Sequence, residues 1–128
     1  SLASLVVRRL GRENCRILPG ISSVQVACAR VGTDWHNIRV INAHDGEPKD
    51  TVSPAETGPK TAVLLGEPAS ARWAADFVED MEGAARLFAC EELTLPDEKV
   101  REVTCEELRK LRFSPRTVLL IVEEGELA

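Results

Sequence analysis

Apolar positions change period several times along the chain. Leu2, Leu5, Val6 and Leu10 fall near i, i+3, i+4 and i+8, with Arg8, Arg9 and Arg12 off that stripe. The spacing predicts an amphipathic helix ending near Gly11. Ile17 and Leu18 predict a short strand over Arg16–Leu18, punctuated by Pro19-Gly20. A helix of small residues follows from Ser23 to Val31 and stops at Gly32. Ser22 is its N-cap: the Ser oxygen accepts a first-turn backbone N–H while Gln25 reaches back, a capping box. The turn over residues 33–37 carries Trp35 as an expected packing anchor, and Ile38–Asn42 is the next strand.

Residues 43–59 then form a long loop rich in Pro and Gly, with a short helical turn expected near Ser53–Glu56. Thr61–Leu65 is continuously apolar apart from its first residue, as in a strand buried on both faces. Ala69–Met81 reads as a helix with Trp73, Phe77, Val78 and Met81 on one side, Pro68 in its first turn and Gly83 beyond its end. Strands are expected at Arg86–Glu91, Val100–Val103 and Thr117–Val122, with a turn or short helical segment over Leu93–Val100. Thr104 and Glu107 form a second capping box, opening a helix through Leu108 and Leu111. Five or six strands interleaved with four helices predict an α/β fold, a mixed sheet flanked by helices.

Composition narrows the class. Apolar residues make up 44% and charged residues 29% of 128 residues, as in a soluble domain with a real core. The net charge of −5 opposes a general nucleic-acid-binding surface. No apolar run approaches the ~20 residues that span a membrane, and no signal peptide opens the chain, so a cytoplasmic protein is expected. Cys15, Cys28, Cys90 and Cys105 are widely spaced and only His36 and His44 accompany them, so no metal site is expected and the thiols should stay reduced. The chain opens on Ser1 rather than Met, as a portion of something longer would.

Candidate chemistry is sparse. Ser22 or Ser23 with His44 and an Asp is a triad only by inventory: no Gly-x-Ser-x-Gly elbow occurs, and capping explains the serines. Glu91-Glu92, Asp97-Glu98 and Glu106-Glu107 are paired carboxylates. Surface solvation is the ordinary role of such pairs, and Glu106-Glu107 suits a helix first turn. His44 ends a strand and opens the long loop, where α/β proteins place ligands. No phosphate-binding glycine loop is present. No residue is singled out as catalytic.

Three stretches share one resemblance. Ile17-Leu18-Pro19-Gly20-Ile21-Ser22-Ser23-Val24-Gln25 is similar to the Pro-Gly-Ile-Ser-Ser segment of the tetrapyrrole (corrin/porphyrin) methylases. Leu93–Val100 and Phe113–Ile121 resemble the C-terminal part of that family's precorrin-6Y methyltransferase (decarboxylating) branch. Val40–His44 resembles a strand leading to a His-Gly-Arg-like turn, here His44-Asp45-Gly46-Glu47 without its basic residue. The family's N-terminal Gly-Pro-Gly-like and Gly-Asp-Pro-like segments have no counterpart.

The resemblance implies two α/β domains with S-adenosylmethionine in the cleft between them, a precorrin substrate and a homodimer. Residues 1–36 would be the end of the first domain and residues 37–128 the C-terminal domain. Cofactor contacts would fall at Ser22, Ser23, Leu65 and Leu93, with His44 facing substrate. The expectation is an S-adenosylmethionine-dependent C-methyltransferase of cobalamin biosynthesis, present as a portion inactive alone. The competing expectation is a self-sufficient, non-enzymatic α/β ligand-binding or interaction module. It would hide the apolar face of Leu2, Leu5, Val6 and Leu10.

Overall fold

The structure, a computed structural model, describes residues 2–18, 20–49, 53–54, 58–81 and 83–127. Among these residues four α-helices are α1 (Leu2–Leu10), α2 (Ser23–Val31), α3 (Pro68–Glu79) and α4 (Cys105–Lys110). The five strands among the described residues are β1 (Arg39–Ala43), β2 (Lys60–Leu65), β3 (Ala85–Glu91), β4 (Lys99–Val103) and β5 (Thr117–Glu123). They form one sheet in the order β1-β2-β5-β3-β4. Only β1 and β2 are parallel; the other neighbours are antiparallel. The expected mixed α/β sheet is therefore observed.

The apolar runs explain the order. β2 and β5 are buried along nearly their whole length and occupy the interior, while β1 and β4 alternate and form the edges. One face of the sheet, through Val63, Leu119 and Ile121, packs on α3 and α4. The other, through Ala62, Leu120 and Val122, packs on Val24, Ala27 and Cys28 of α2. Ala27 and Cys28 are small, so α2 lies close to the sheet. Both capping boxes form: the Ser22 hydroxyl accepts from Gln25 N and the Thr104 hydroxyl from Glu107 N. Gly32 ends α2 in the left-handed conformation, where glycine has no Cβ to clash.

The long segment after β1 has a topological cause. Parallel neighbours need a crossover, and residues 44–59 supply it between β1 and β2. The helical turn expected near Ser53–Glu56 falls largely outside the described residues.

Two expectations fail. Residues 16–18, expected as a strand, belong to none among the described residues. Ile17 and Leu18 are 66% and 72% exposed, because a pair of apolar residues becomes a strand only beside a partner ladder. Trp35 is half exposed and stacks on His36 with ring centroids 5.0 Å apart, so it anchors no core. The turn is instead held by Lys60, whose buried Nζ donates to Asp34 Oδ1 at 2.6 Å and to Asp34 O at 2.9 Å. No residue of α1 is buried, and its apolar stripe faces solvent.

Candidate functional site

The sheet register brings the ends of all five strands into one row. Ala43 pairs with Leu65, Leu65 with Thr117, Thr117 with Glu91 and Glu91 with Lys99. Just beyond that row a cavity of about 460 Å³ opens. That volume lies within the roughly 300–1,000 Å³ of small-molecule sites. Its walls come from the ends of β1 and β2, the first turn of α2, the loop after β3 and the start of β5.

Ser23, His44, Leu65 and Leu93, far apart in sequence, all line this cavity. Ser22 does not; it lines a neighbouring groove that shares Ser23 and Leu64 with the cavity, and its hydroxyl is engaged in the cap. Apolar walls from Leu64, Leu65, Leu93, Leu95 and Val118 alternate with Asn42, Glu92, Arg116 and Thr117. Such a surface suits a flat heteroaromatic ring with polar substituents.

His44 is placed by backbone chemistry. Its N–H donates to Asn42 Oδ1 at 3.0 Å. The buried hydroxyl of Ser70, in the first turn of α3, donates to Ala43 O. Gly66 lies so close that a Cβ there would fall on the His44 carbonyl oxygen, 2.6 Å from its Nδ1. Periodicity gives no sign of these constraints; Gly66 reads only as turn punctuation.

Leu93 is presented by a strained loop. Glu92 and Thr94 flank it with φ of 49° and 67°, a region few non-glycine residues adopt. Such strain persists where surrounding contacts over-determine it. Here Glu92 N donates to Arg116 O at 3.0 Å, Thr94 N to Glu98 Oε1 at 2.7 Å, and Leu95 N to Glu92 O at 3.0 Å. Arg30 of α2 donates to Glu98 Oε2 at 3.0 Å, tying the loop to the opposite wall. The Glu92 carboxylate accepts from Arg116 Nε at 2.7 Å and from the Ser114 hydroxyl at 2.5 Å.

The Thr94 N–H and then the Arg30 guanidinium hold the Glu98 carboxyl below the usual range. Arg116 and then Ser114 do the same for Glu92. Folded-state values are depressed, so this stabilisation is present above the ordinary carboxylate range and is lost as pH falls through the depressed values. The protection factor of the Thr94 amide, its slowing relative to an unstructured amide at the same pH, should therefore be higher near neutral pH and fall on acidification, and Glu98→Gln should lower it at neutral pH. Unchanged Thr94 exchange in Glu98→Gln would break the assignment.

Glu91 departs from the surface role expected for paired carboxylates. It is only 6% exposed, accepting from Ser114 N at 2.9 Å and Arg101 Nη2 at 3.3 Å. Among the described residues no cluster of three or more His, Cys, Asp or Glu is placed to hold a metal ion. No helix among them is long and apolar enough to cross a membrane. All four thiols are free; burial pushes Cys90 up to about 12 and also raises Cys28, so neither is a poised nucleophile.

Comparison with known proteins adds an independent line. The family model of Tetrapyrrole (Corrin/Porphyrin) Methylases matches residues 1–109. A precorrin-6Y C(5,15)-methyltransferase (decarboxylating) of Mycobacterium tuberculosis is 29% identical over 104 residues, covering 80% of this chain and 26% of that protein. The uroporphyrin-III C-methyl transferase of Thermus thermophilus complexed with S-adenyl homocysteine superposes with a TM-score of 0.68 at 18% identity. It covers 93% of this chain and 56% of that one. The precorrin-6Y methylase of Archaeoglobus fulgidus gives a TM-score of 0.56 at 24% identity, with coverages of 92% and 56%. These structural likenesses establish the fold. The chain spans about a quarter of the curated relative (26%) and about half of each solved structure (56%).

Proposed function

The chain belongs to the tetrapyrrole (corrin/porphyrin) methylase family, and from that premise we propose that it forms one wall of an S-adenosylmethionine-dependent C-methyltransferase acting on a precorrin. The observation that carries the proposal is the single cavity to which Ser23, His44, Leu65 and Leu93 converge. The precorrin-6Y methyltransferase (decarboxylating) branch is favoured by the 29% identity to that enzyme. In this reading residues 1–36 close a first domain and residues 37–128 form the C-terminal domain. The whole enzyme works as a cytoplasmic homodimer. The exposed stripe of Leu2, Leu5, Val6 and Leu10 supports a wall completed elsewhere over a self-sufficient binding module.

The cavity fits the cofactor. Leu65 and Leu93 would bound the adenine, and Ser23, with the Ser22–Gln25 cap, would fix the first turn of α2 against it. Bound there, the cofactor would supply an activated sulfonium methyl to an electron-rich ring carbon, the S–CH3 bond breaking as the C–CH3 bond forms, with S-adenosylhomocysteine as the leaving group. The residues would orient the partners and exclude water, since the sulfonium methyl is already activated and the Glu92 carboxylate is engaged by Arg116 and Ser114. His44, at the mouth, meets the substrate.

The test is a titration of the chain with S-adenosylhomocysteine, followed by amide NMR. Weak, saturable shifts are expected at Ser23, Leu65 and Leu93, with no turnover by the chain alone. Leu93→Arg, which puts a charge into the apolar wall, should weaken binding about tenfold or more. Shifts confined to other surfaces would refute the site, and micromolar affinity of the chain alone would refute the half-site.

A further inference from the structure

A second hollow lies at the same end of the sheet. It measures about 270 Å³ and lies between the start of α3 and the segment leaving α4. The two hollows meet at Leu65, and neighbouring residues serve both: Ser114 lines this one and Pro115 the cavity described above. Although the chain as a whole carries −5, this wall is basic, lined by Arg72, Arg109, Lys110 and Arg112 with Glu67 as its carboxylate.

The four cations are not equivalent. Arg109 is held by Asp76 at 2.5 Å and by Glu79 at 2.6 Å, pinning α4 to α3. Lys110 is paired with Glu106 at 2.5 Å. Arg72 and Arg112 have no carboxylate partner among the described residues, and both are exposed at the hollow. Two uncompensated guanidiniums on a concave surface suit planar carboxylates, which they meet with paired N–H donors.

We infer that this hollow is the anchor for the carboxylate arms of the tetrapyrrole, with Arg72 and Arg112 as the residues that engage them. The inference rests on the methylase reading for the identity of the ligand. It resolves a difficulty of the sequence: the turn at His44-Asp45-Gly46-Glu47 is acidic where a polycarboxylate substrate must approach. The positive charge that such a substrate needs is present, but on α3 and beyond α4, in the hollow that Gly66 lines and His44 does not. A macrocycle over the cavity mouth places its ring at His44 and its arms in the basic hollow.

The experiment titrates the chain with uroporphyrin III, which carries acetate and propionate arms, and with coproporphyrin III, which keeps only propionates. Binding is read by porphyrin fluorescence, with S-adenosylhomocysteine shifts recorded in parallel. The wild-type chain should prefer uroporphyrin III. Arg72→Glu with Arg112→Glu should weaken uroporphyrin III about tenfold or more, and the corresponding lysine pair should recover part of it. Both sites are exposed, so an unchanged melting temperature is expected in each variant. Equal binding by the charge-reversed variant, equal affinity for the two porphyrins, or no uroporphyrin binding by wild type would each overturn the inference. Arginine-dependent porphyrin binding without cofactor shifts at Ser23, Leu65 and Leu93 would uphold the carboxylate hollow and overturn the methylase reading. The reverse pattern would overturn the hollow alone.

Discussion

Gly66→Ala is expected to destabilise the fold by about 3 kcal/mol, at the upper end of overpacking substitutions, and to abolish cofactor shifts in the cavity. The added Cβ would fall on the His44 carbonyl oxygen and lie 2.8 Å from its carbonyl carbon. These are backbone atoms, so no rotamer change relieves the overlap. The main chain of His44 must move, or the start of α3 must. Either displacement disturbs Ala43, whose carbonyl accepts from the buried Ser70 hydroxyl and from Gly46 N at 3.2 Å. It also shifts Leu65, shared by the cavity and the basic hollow. Gly125→Ala is the control, because a Cβ there meets nothing within 4 Å. Urea unfolding of both variants, with the His44 amide shift as local probe, decides the matter. A Gly66→Ala protein with wild-type stability and an unmoved His44 amide would mean that the close approach is not a constraint.

That constraint also marks what the sequence leaves unread. The strands around Val63 and Leu120 are legible because unbroken apolar runs have only the interior of a sheet to occupy. The Ser22 and Thr104 caps are legible because a capping box is complete within four residues. Leu65 and Leu93 come forward only through the family resemblance, since a leucine lining a cavity and a leucine in a core have the same local signature. Ile17-Leu18 and Trp35 mislead for the converse reason: apolar character shows that burial is favourable but not that a partner is at hand. The crossover role of residues 44–59 depends on β1 and β2 being parallel, and the buried state of Glu91 on partners at Arg101 and Ser114. Neither is a property of the segment itself.

Glu91→Ala should cost about 1–3 kcal/mol, because it leaves the Ser114 N–H without its acceptor and takes the carboxylate from a partly exposed Arg101. Glu91 Oε1 takes the Ser114 N–H and Oε2 takes the Arg101 guanidinium, whose carbon lies 5.2 Å from the centre of the Phe113 ring. The Arg101 Nε is buried without a hydrogen-bond partner among the described residues, while the side chain as a whole is more than a third exposed, so water takes up part of the charge when the carboxylate is lost. Glu91→Gln keeps an acceptor for Ser114 and gives up the charge, and should cost about 1 kcal/mol. Combining Glu91→Leu with Arg101→Met removes both partners together. It should cost less than the sum of the single changes, since the Arg101 charge leaves together with its carboxylate and only the Ser114 N–H loses an acceptor. The effect should extend to ligands. Ser114 is fixed by Glu91 and lines the basic hollow, while Pro115 and Arg116 line the cavity. Glu91→Ala should therefore weaken S-adenosylhomocysteine and uroporphyrin III together, whereas Leu93→Arg weakens only the first and the Arg72/Arg112 reversal only the second. A Glu91→Ala protein within about 0.5 kcal/mol of wild type, the span of ordinary surface substitutions, would show that the two hollows are not held in register by this carboxylate.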